Sequence, residues 1–172
     1  PTGAVTPPEK IIEIAEIVKK NKLIVIADEI YADLVYENHT HLSIGSLEEM
    51  KERTLTLNGF SKTYAMTGWR IGYIAGPLDI IVKMIEIRHA LSINSCTFSQ
   101  YGAIAALKGP QNQFIEMKEE YDVRRKFCMH ALRSMGLSYG EPGGAFYIYT
   151  NVSASGMKAS AFSELLLKKT GV

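Results

Sequence analysis

Four side chains whose types suit covalent and ionic chemistry lie close to short apolar segments of the chain. Asp28 directly follows the apolar run at residues 23–27, and Tyr31 lies three residues beyond it. Lys62 and Arg70 lie eight residues apart in a long, mostly polar stretch. A lysine amine can attack a carbonyl carbon, a carboxylate can hold a proton on a ring nitrogen, and a guanidinium can bind a phosphate.

Pyridoxal phosphate is a cofactor whose requirements these residues meet. Its carbonyl forms a Schiff base with a lysine amine, for which Lys62 is the candidate. Its pyridine nitrogen needs a carboxylate such as Asp28, and a phenol such as Tyr31 can act on the ring hydroxyl. Its phosphate needs a guanidinium and hydroxyl donors, which Arg70 and Ser61 can supply. Because these residue types occur in nearly every protein, composition alone does not select this cofactor.

The hydrophobic pattern predicts an α/β fold with a mostly parallel sheet and flanking helices. A first helix is predicted from the capping box of Thr6 and Glu9 to a stop near Asn21. The apolar run at residues 23–27 is typical of a strand buried on both faces of a parallel sheet. Residues 54–57 and 71–75 are two further predicted strands. Ligands of open α/β sheets gather at the carboxyl ends of strands, so we expect the candidate residues to meet there.

The later elements are predicted to be mainly helical. Ser46 and Glu49 predict the cap of a short helix that ends near Arg53. Further helices are predicted over about 78–91, 99–107, 111–135 and 159–169, and short strands over 137–139 and 145–150. The break at residues 109–110 and the long helix after it predict a domain boundary between about 110 and 125.

Composition excludes several classes of protein. The 172 residues carry a formal net charge of +1, which gives no general reason to expect nucleic acid or an anionic membrane as a partner. No apolar run reaches the length of a membrane span. Cys96 and Cys128 are too few for a zinc framework, and we expect reduced thiols in a cytoplasmic protein. The four histidines lack partners at metal-ligand spacing, so no metal site is expected.

Three segments resemble one enzyme family. The string NGFSKTYAMTGWRIGY at residues 58–73 resembles the cofactor-lysine segment of class I/II aminotransferases, which are fold-type I enzymes that use pyridoxal phosphate. The string ADEIY at residues 27–31 resembles the segment that contacts the pyridine nitrogen. Pro1-Thr2-Gly3 resembles the end of the family's Asn-Pro-Thr-Gly turn, and GGAFY at residues 143–147 continues the similarity. The resemblance covers essentially the whole chain.

The resemblance implies an enzyme of the aspartate or aromatic aminotransferase type, which moves an amino group from an amino acid to a 2-oxo acid. It implies that Lys62 binds the cofactor covalently and carries a proton. It implies contacts of Asp28 with the ring nitrogen, of Tyr31 with the ring hydroxyl and of Arg70 with the phosphate. Many members of the family carry serine where this chain has Gly59, and Ser61 is the candidate for the hydroxyl that is then missing.

Compared with the family, the chain resembles a middle slice of the enzyme. The family's amino-terminal half and its substrate-binding carboxyl-terminal arginine have no counterpart in it. Residues 1–110 are expected to form the second half of the large cofactor-binding domain, and residues 111–135 a connecting helix. Residues 136–172 are expected to begin the small domain. We expect the slice alone to be inactive and the full-length enzyme to be a homodimer.

Other functions stay open at this point. A carbon–sulfur lyase of the same fold would use the same lysine, although residues 66–70 (MTGWR) favour an aminotransferase. The aminotransferase-like sensor domain of a bacterial transcription regulator would bind the cofactor without turnover. A truncated product without a function of its own is a third alternative. The amino donor is undetermined among aspartate, aromatic residues and alanine.

Overall fold

The computed structural model describes all 172 residues and contains five α-helices and three β-strands. In chain order they are α1 (Pro8–Lys20), β1 (Val25–Asp28), β2 (Thr54–Gly59), β3 (Gly72–Ala75), α2 (Leu78–Ser92), α3 (Thr97–Lys108), α4 (Asn112–Ser134) and α5 (Ala159–Thr170). The predicted α/β class is confirmed. No helix of the chain is both long enough and apolar enough to cross a membrane.

The three strands form a mixed sheet in the order β1-β2-β3. β1 and β2 are parallel, with Asp28 opposite Leu57. β2 and β3 are antiparallel, with Gly59 opposite Gly72. The carboxyl ends of β1 and β2 and the amino end of β3 therefore lie at the same edge of the sheet. The segments that carry Asp28, Lys62 and Arg70 all meet this edge.

Helix α1 packs its apolar face against the loop that precedes β2. Ala15 and Val18 are buried in a cluster with Ile44 and Met50. Burying apolar side chains stabilises a fold by about 25 cal/mol per Å² of surface removed from water, so this cluster fixes the helix on the domain. The helix ends at Asn21, whose side-chain amide donates to the Ile17 carbonyl at 2.8 Å.

Two predictions of capping boxes are wrong. Helix α1 has Pro7 as its N-cap, so Thr6 lies outside the helix and makes no capping hydrogen bond. The segment around Ser46 forms two 3-10 turns, Ile44–Ser46 and Lys51–Arg53, instead of an α-helix. Glu49 has a φ of +61°, in the left-handed region, and a residue in that conformation cannot continue an α-helix.

The strands predicted over 137–139 and 145–150 are also absent. Only one bridge, between Tyr139 and Thr150, joins them. The Gly144 amide donates instead to the Gly3 carbonyl and the Ala145 amide to the Leu34 carbonyl, both at 2.8 Å. The segment therefore lies against the amino-terminal turn and the loop that follows β1, and it forms no hairpin.

The prediction that β1 is buried on both faces is wrong. No element of the chain covers Ile26, which is 71% exposed.

Helix α4 is tied to the rest of the chain by a buried arginine. The Arg125 Nε donates to Asp122 Oδ1 at 2.8 Å, and its Nη1 donates to the Pro142 carbonyl at 3.2 Å. Its Nη2 lies 2.9 Å from Glu37 Oε1, and the guanidinium covers the ring of Tyr36 at 5.1 Å. One side chain thus connects α4 with Tyr36 and Glu37 in the loop between β1 and β2, and with Pro142.

We expect Arg125→Met to destabilise the protein by roughly 2–3 kcal/mol. Loss of one partner from a buried ion pair costs about 3–5 kcal/mol, and the value is lower here because Glu37 is half exposed. Thermal unfolding should occur about 5–10 °C lower. Arg124→Met is the matched control, since Arg124 pairs with Glu120 on the exposed side of the same helix and should change stability by under about 1 kcal/mol. Equal shifts for the two variants would contradict this prediction.

Candidate active site at the sheet edge

Asp28 is the last residue of β1 and is exposed at the sheet edge. The only hydrogen bond of its side chain within the chain is local, from the Ile30 amide to Oδ1 at 3.3 Å. It takes part in none of the chain's ion pairs. The carboxylate is therefore available to a cationic group of a ligand.

Lys62 lies in the turn that follows β2, and a small core fixes this turn. Phe60 and Met66 are buried there with Ala103 of α3. The Lys62 side chain is half-buried, and its Nζ lies 5.8 Å from the centre of the Tyr31 ring and 5.4 Å from that of Phe146. No carboxylate pairs with this amine, so it meets aromatic rings in place of an acidic partner.

A partly buried hydrogen bond joins the Lys62 turn to the Tyr31 turn. Thr63, which is 4% exposed, donates from Oγ1 to Asp33 Oδ2 at 2.8 Å. The two residues flank Lys62 and Tyr31 and hold their turns in register. Both lie in or beside strings that the sequence analysis singled out, but nothing in their spacing indicated that they form a pair.

Arg70 lies just before β3 in the left-handed conformation, with a φ of +50°. Its Nη1 donates to the Thr67 carbonyl at 2.8 Å, and no carboxylate pairs with its guanidinium. Helix α3 supports this turn, because the Ser99 hydroxyl donates to the Trp69 carbonyl at 2.9 Å. The Trp69 ring lies against Gly102, where an added Cβ would come within 2.5 Å of it.

Ser61 is half-buried beside Lys62, and its hydroxyl has no hydrogen-bond partner within the chain. Its carbonyl accepts a hydrogen bond from the Thr67 hydroxyl at 2.9 Å. At Gly59 an added Cβ would lie 3.0 Å from the Gly72 Cα, so a serine at that position would crowd β3. Ser61 is therefore the hydroxyl that this turn offers.

Tyr31 is held by aromatic contacts from a distant part of the chain. Its hydroxyl lies 2.9 Å from the hydroxyl of Tyr147, and its ring meets Phe146 edge-on at 5.3 Å. Burial raises the pKa of the Tyr31 phenol above its ordinary value. The phenol is therefore neutral at physiological pH and keeps its proton.

The segment at residues 143–147 is placed by backbone contacts. Gly144 forms a bridge with Val35, and the Tyr36 hydroxyl donates to the Ala145 carbonyl at 2.6 Å. The string GGAFY marked this segment in the sequence, but its spacing did not indicate that Phe146 and Tyr147 reach the site.

The structure brings some of the candidate residues together and leaves others apart. A cavity of about 330 Å³ is lined by Asp28, Tyr31 and Tyr147 together with Pro1-Thr2-Gly3. Lys62 lies beside Tyr31 but does not line this cavity. The side chains of Ser61 and Arg70 lie at the same sheet edge and form no hydrogen bond with the other candidates. No group of three or more His, Cys, Asp or Glu side chains is placed to hold a metal ion.

Comparison with known proteins gives consistent matches. The family described as aminotransferase class I and II matches residues 1–172. An aspartate aminotransferase of Pyrococcus abyssi is 44% identical, and the match covers 100% of this chain and 45% of that protein. An aromatic-amino-acid aminotransferase of Thermococcus litoralis is 41% identical, again over 100% of this chain and 45% of that protein.

Solved structures agree with these matches. The aromatic aminotransferase of Pyrococcus horikoshii superposes with a TM-score of 0.95 at 46% identity, over 98% of this chain and 46% of that one. The aspartate aminotransferase of Thermus thermophilus with maleate gives a TM-score of 0.92 at 36% identity, over 98% and 44%. The chain thus spans about half the length of the proteins that it matches.

Proposed function

Because this chain belongs to the class I and II aminotransferase family, we propose that the full-length protein is an aminotransferase dependent on pyridoxal phosphate. It would move an amino group from an amino acid to a 2-oxo acid. The chain spans 45% of the length of the P. abyssi relative, so this activity is proposed for the whole protein rather than for the 172 residues alone.

One observation carries the proposal. Asp28, Lys62 and Arg70 belong to one sheet edge, and none of them has an ionic partner within the chain. Charged side chains of a folded protein are usually solvated or paired, and three unpaired ones at one sheet edge, where Asp28 lines a cavity, suit a ligand with complementary groups. The ligand would need a cationic ring nitrogen, a carbonyl carbon and a phosphate.

Pyridoxal phosphate fits this set of donors and acceptors. Asp28 would hold the ring nitrogen, Tyr31 the ring hydroxyl and Lys62 the carbonyl carbon, while Ser61 and Arg70 would hold the phosphate. The neutral, half-buried phenol of Tyr31 supports its role as a hydrogen-bond donor. When bound, the cofactor supplies an electron sink that stabilises negative charge at the reacting carbon.

The chain's own residues would then perform three tasks. The Asp28 carboxylate would keep a proton on the ring nitrogen, since an adjacent negative charge favours the protonated form. Lys62 would accept and return a proton at Nζ as the general base and acid. The rings of Tyr31 and Phe146 beside Nζ would keep water from that side of the amine.

We further propose the domain division expected from the sequence, with residues 1–110 in the large domain, 111–135 as a connecting helix and 136–172 in the small domain. Both buried apolar clusters lie within residues 1–110, and α4 runs unbroken over 23 residues, which supports this division. A homodimer is proposed on the resemblance to the family, and a cytoplasmic location on the expectation that Cys96 and Cys128 are reduced thiols.

An assay of the full-length protein with paired amino acids and 2-oxo acids tests the function. We expect exchange of the amino group between the two, dependent on added pyridoxal phosphate, with aspartate, aromatic amino acids and alanine as the first donors. Release of a thiol and a 2-oxo acid from a sulfur amino acid would instead indicate a lyase. Cofactor binding without turnover of any donor would indicate a sensor domain.

A further inference from the structure

Tyr147 has no assigned role, although its hydroxyl is the hydrogen-bond partner of the Tyr31 hydroxyl. The two oxygens lie 2.9 Å apart, and the rings meet edge-on with centres 5.9 Å apart. The residues are separated by 116 positions in the sequence. Phe146 packs against both rings, at 5.3 Å from Tyr31 and 5.0 Å from Tyr147.

A count of protons decides what this pair can do. Each phenol has one proton to donate and can accept through its oxygen. If Tyr31 donates to Tyr147, Tyr31 has no proton left for a ligand. If Tyr147 donates to Tyr31, the Tyr31 proton points away from Tyr147 and is free for another acceptor. The second arrangement also makes Tyr31 a stronger donor, because an accepted hydrogen bond polarises its O–H bond.

We propose that Tyr147 is a positioning residue, which donates its hydroxyl proton to Tyr31 and so directs the Tyr31 proton towards the ring oxygen of the cofactor. This inference rests on the proposed function and deepens it. Tyr147 acts through Tyr31 and needs no contact with the cofactor itself.

The backbone around Tyr147 holds it in place for this task. Gly3 has a φ of +77°, and an added Cβ there would meet the Tyr147 carbonyl oxygen, so the amino-terminal turn packs closely against Tyr147. On the other side, the Ala145 amide donates to the Leu34 carbonyl at 2.8 Å. Tyr147 is thus fixed between the amino-terminal turn and the segment that follows Tyr31.

A purely structural role for Tyr147 predicts a different outcome of mutation. If only its ring mattered, Tyr147→Phe would retain the packing and leave Tyr31 unchanged. Tyr149 offers a matched control, since it lies two residues further along the same segment, is 65% exposed and makes no hydrogen bond through its hydroxyl within the chain. Tyr149→Phe removes the same atom from the same segment.

The first measurement needs no cofactor. The full-length protein is labelled with ¹³C at the ζ-carbon of its tyrosines, which include the nine of this chain, and the Tyr31 signal is assigned by its loss in Tyr31→Phe. We expect Tyr147→Phe to shift the Tyr31 signal and Tyr149→Phe to leave it in place. A Tyr31 signal that does not move in Tyr147→Phe would overturn the inference, whether or not the protein binds pyridoxal phosphate.

The second measurement follows the visible absorption of bound pyridoxal phosphate as a function of pH. Loss of a donor to the ring oxygen disfavours its negative charge, so Tyr31→Phe should raise the pH midpoint. Tyr147→Phe should raise it by roughly half a unit, and Tyr149→Phe should not change it. A midpoint equal to that of the unmutated protein would contradict the proposed direction of donation. Absence of bound cofactor in the unmutated protein would contradict the proposed function, while the ¹³C signal would still decide whether the hydroxyls are paired.

Discussion

Replacing Lys62 by alanine is expected to lower the transamination rate of the full-length protein by at least about a thousandfold. A positioned general acid and base contributes roughly 10² to 10⁴ in rate, and this variant also loses the nucleophilic amine. Lys62→Arg should be similarly inactive, because it retains the positive charge over the rings of Tyr31 and Phe146 but lacks a nucleophilic amine.

The control for this variant is Lys83→Ala. Lys83 is an exposed lysine of α2 that pairs only with Glu86 on the same helix, so its loss should leave the rate within about a factor of two. A Lys62→Ala protein that is folded and retains more than a tenth of the activity would contradict the assignment. Far-ultraviolet circular dichroism of each variant checks that the fold is intact.

Replacing Asp28 by asparagine is expected to lower the rate by about a hundredfold. Asparagine has nearly the same shape but no charge, so it cannot favour the proton on the ring nitrogen of the cofactor. Loss of one member of a close charge pair costs roughly 3 kcal/mol, which corresponds to about a hundredfold in rate. Affinity for pyridoxal phosphate should also fall, and titration of the cofactor's absorption measures it.

Asp79→Asn is the matched control for the loss of an aspartate charge. Asp79 lies in the first turn of α2 and is exposed, so its replacement should cost under about 1 kcal/mol of stability and no activity. If Asp28→Asn and Asp79→Asn have the same rate, Asp28 does not act on the ring nitrogen. Asp28 makes only a local hydrogen bond, so a folding defect is not expected from its replacement.

The helices and main strands could be predicted from sequence because their signals are local. The apolar spacing of α1 and the long periodic pattern of α4 place these helices to within about two residues. The strand at residues 54–57 was predicted correctly and continues to Gly59. The 3-10 turns near Ser46 were missed because the left-handed conformation of Glu49 depends on packing that a capping pattern does not include.

In the site, too, local sequence patterns predict some features and miss others. Asp28, Tyr31 and Lys62 lie in strings whose residue types are specific enough to mark them. The contacts between those strings could not be predicted, since they depend on how distant segments meet. Thr63 and Asp33 are 30 residues apart, and Tyr31 and Tyr147 are 116 apart. No local pattern encodes a hydrogen bond across such a separation, and only the fold brings these side chains together.

We propose that Lys62 binds pyridoxal phosphate covalently, and reduction of the complex followed by mass spectrometry tests this most directly. The full-length protein is incubated with pyridoxal phosphate, reduced with borohydride, weighed intact by mass spectrometry and then mapped by peptide sequencing. We expect the mass to increase by that of one reduced cofactor, which is located on Lys62 and is absent from Lys62→Ala. An adduct on another lysine, or no adduct at all, would contradict it.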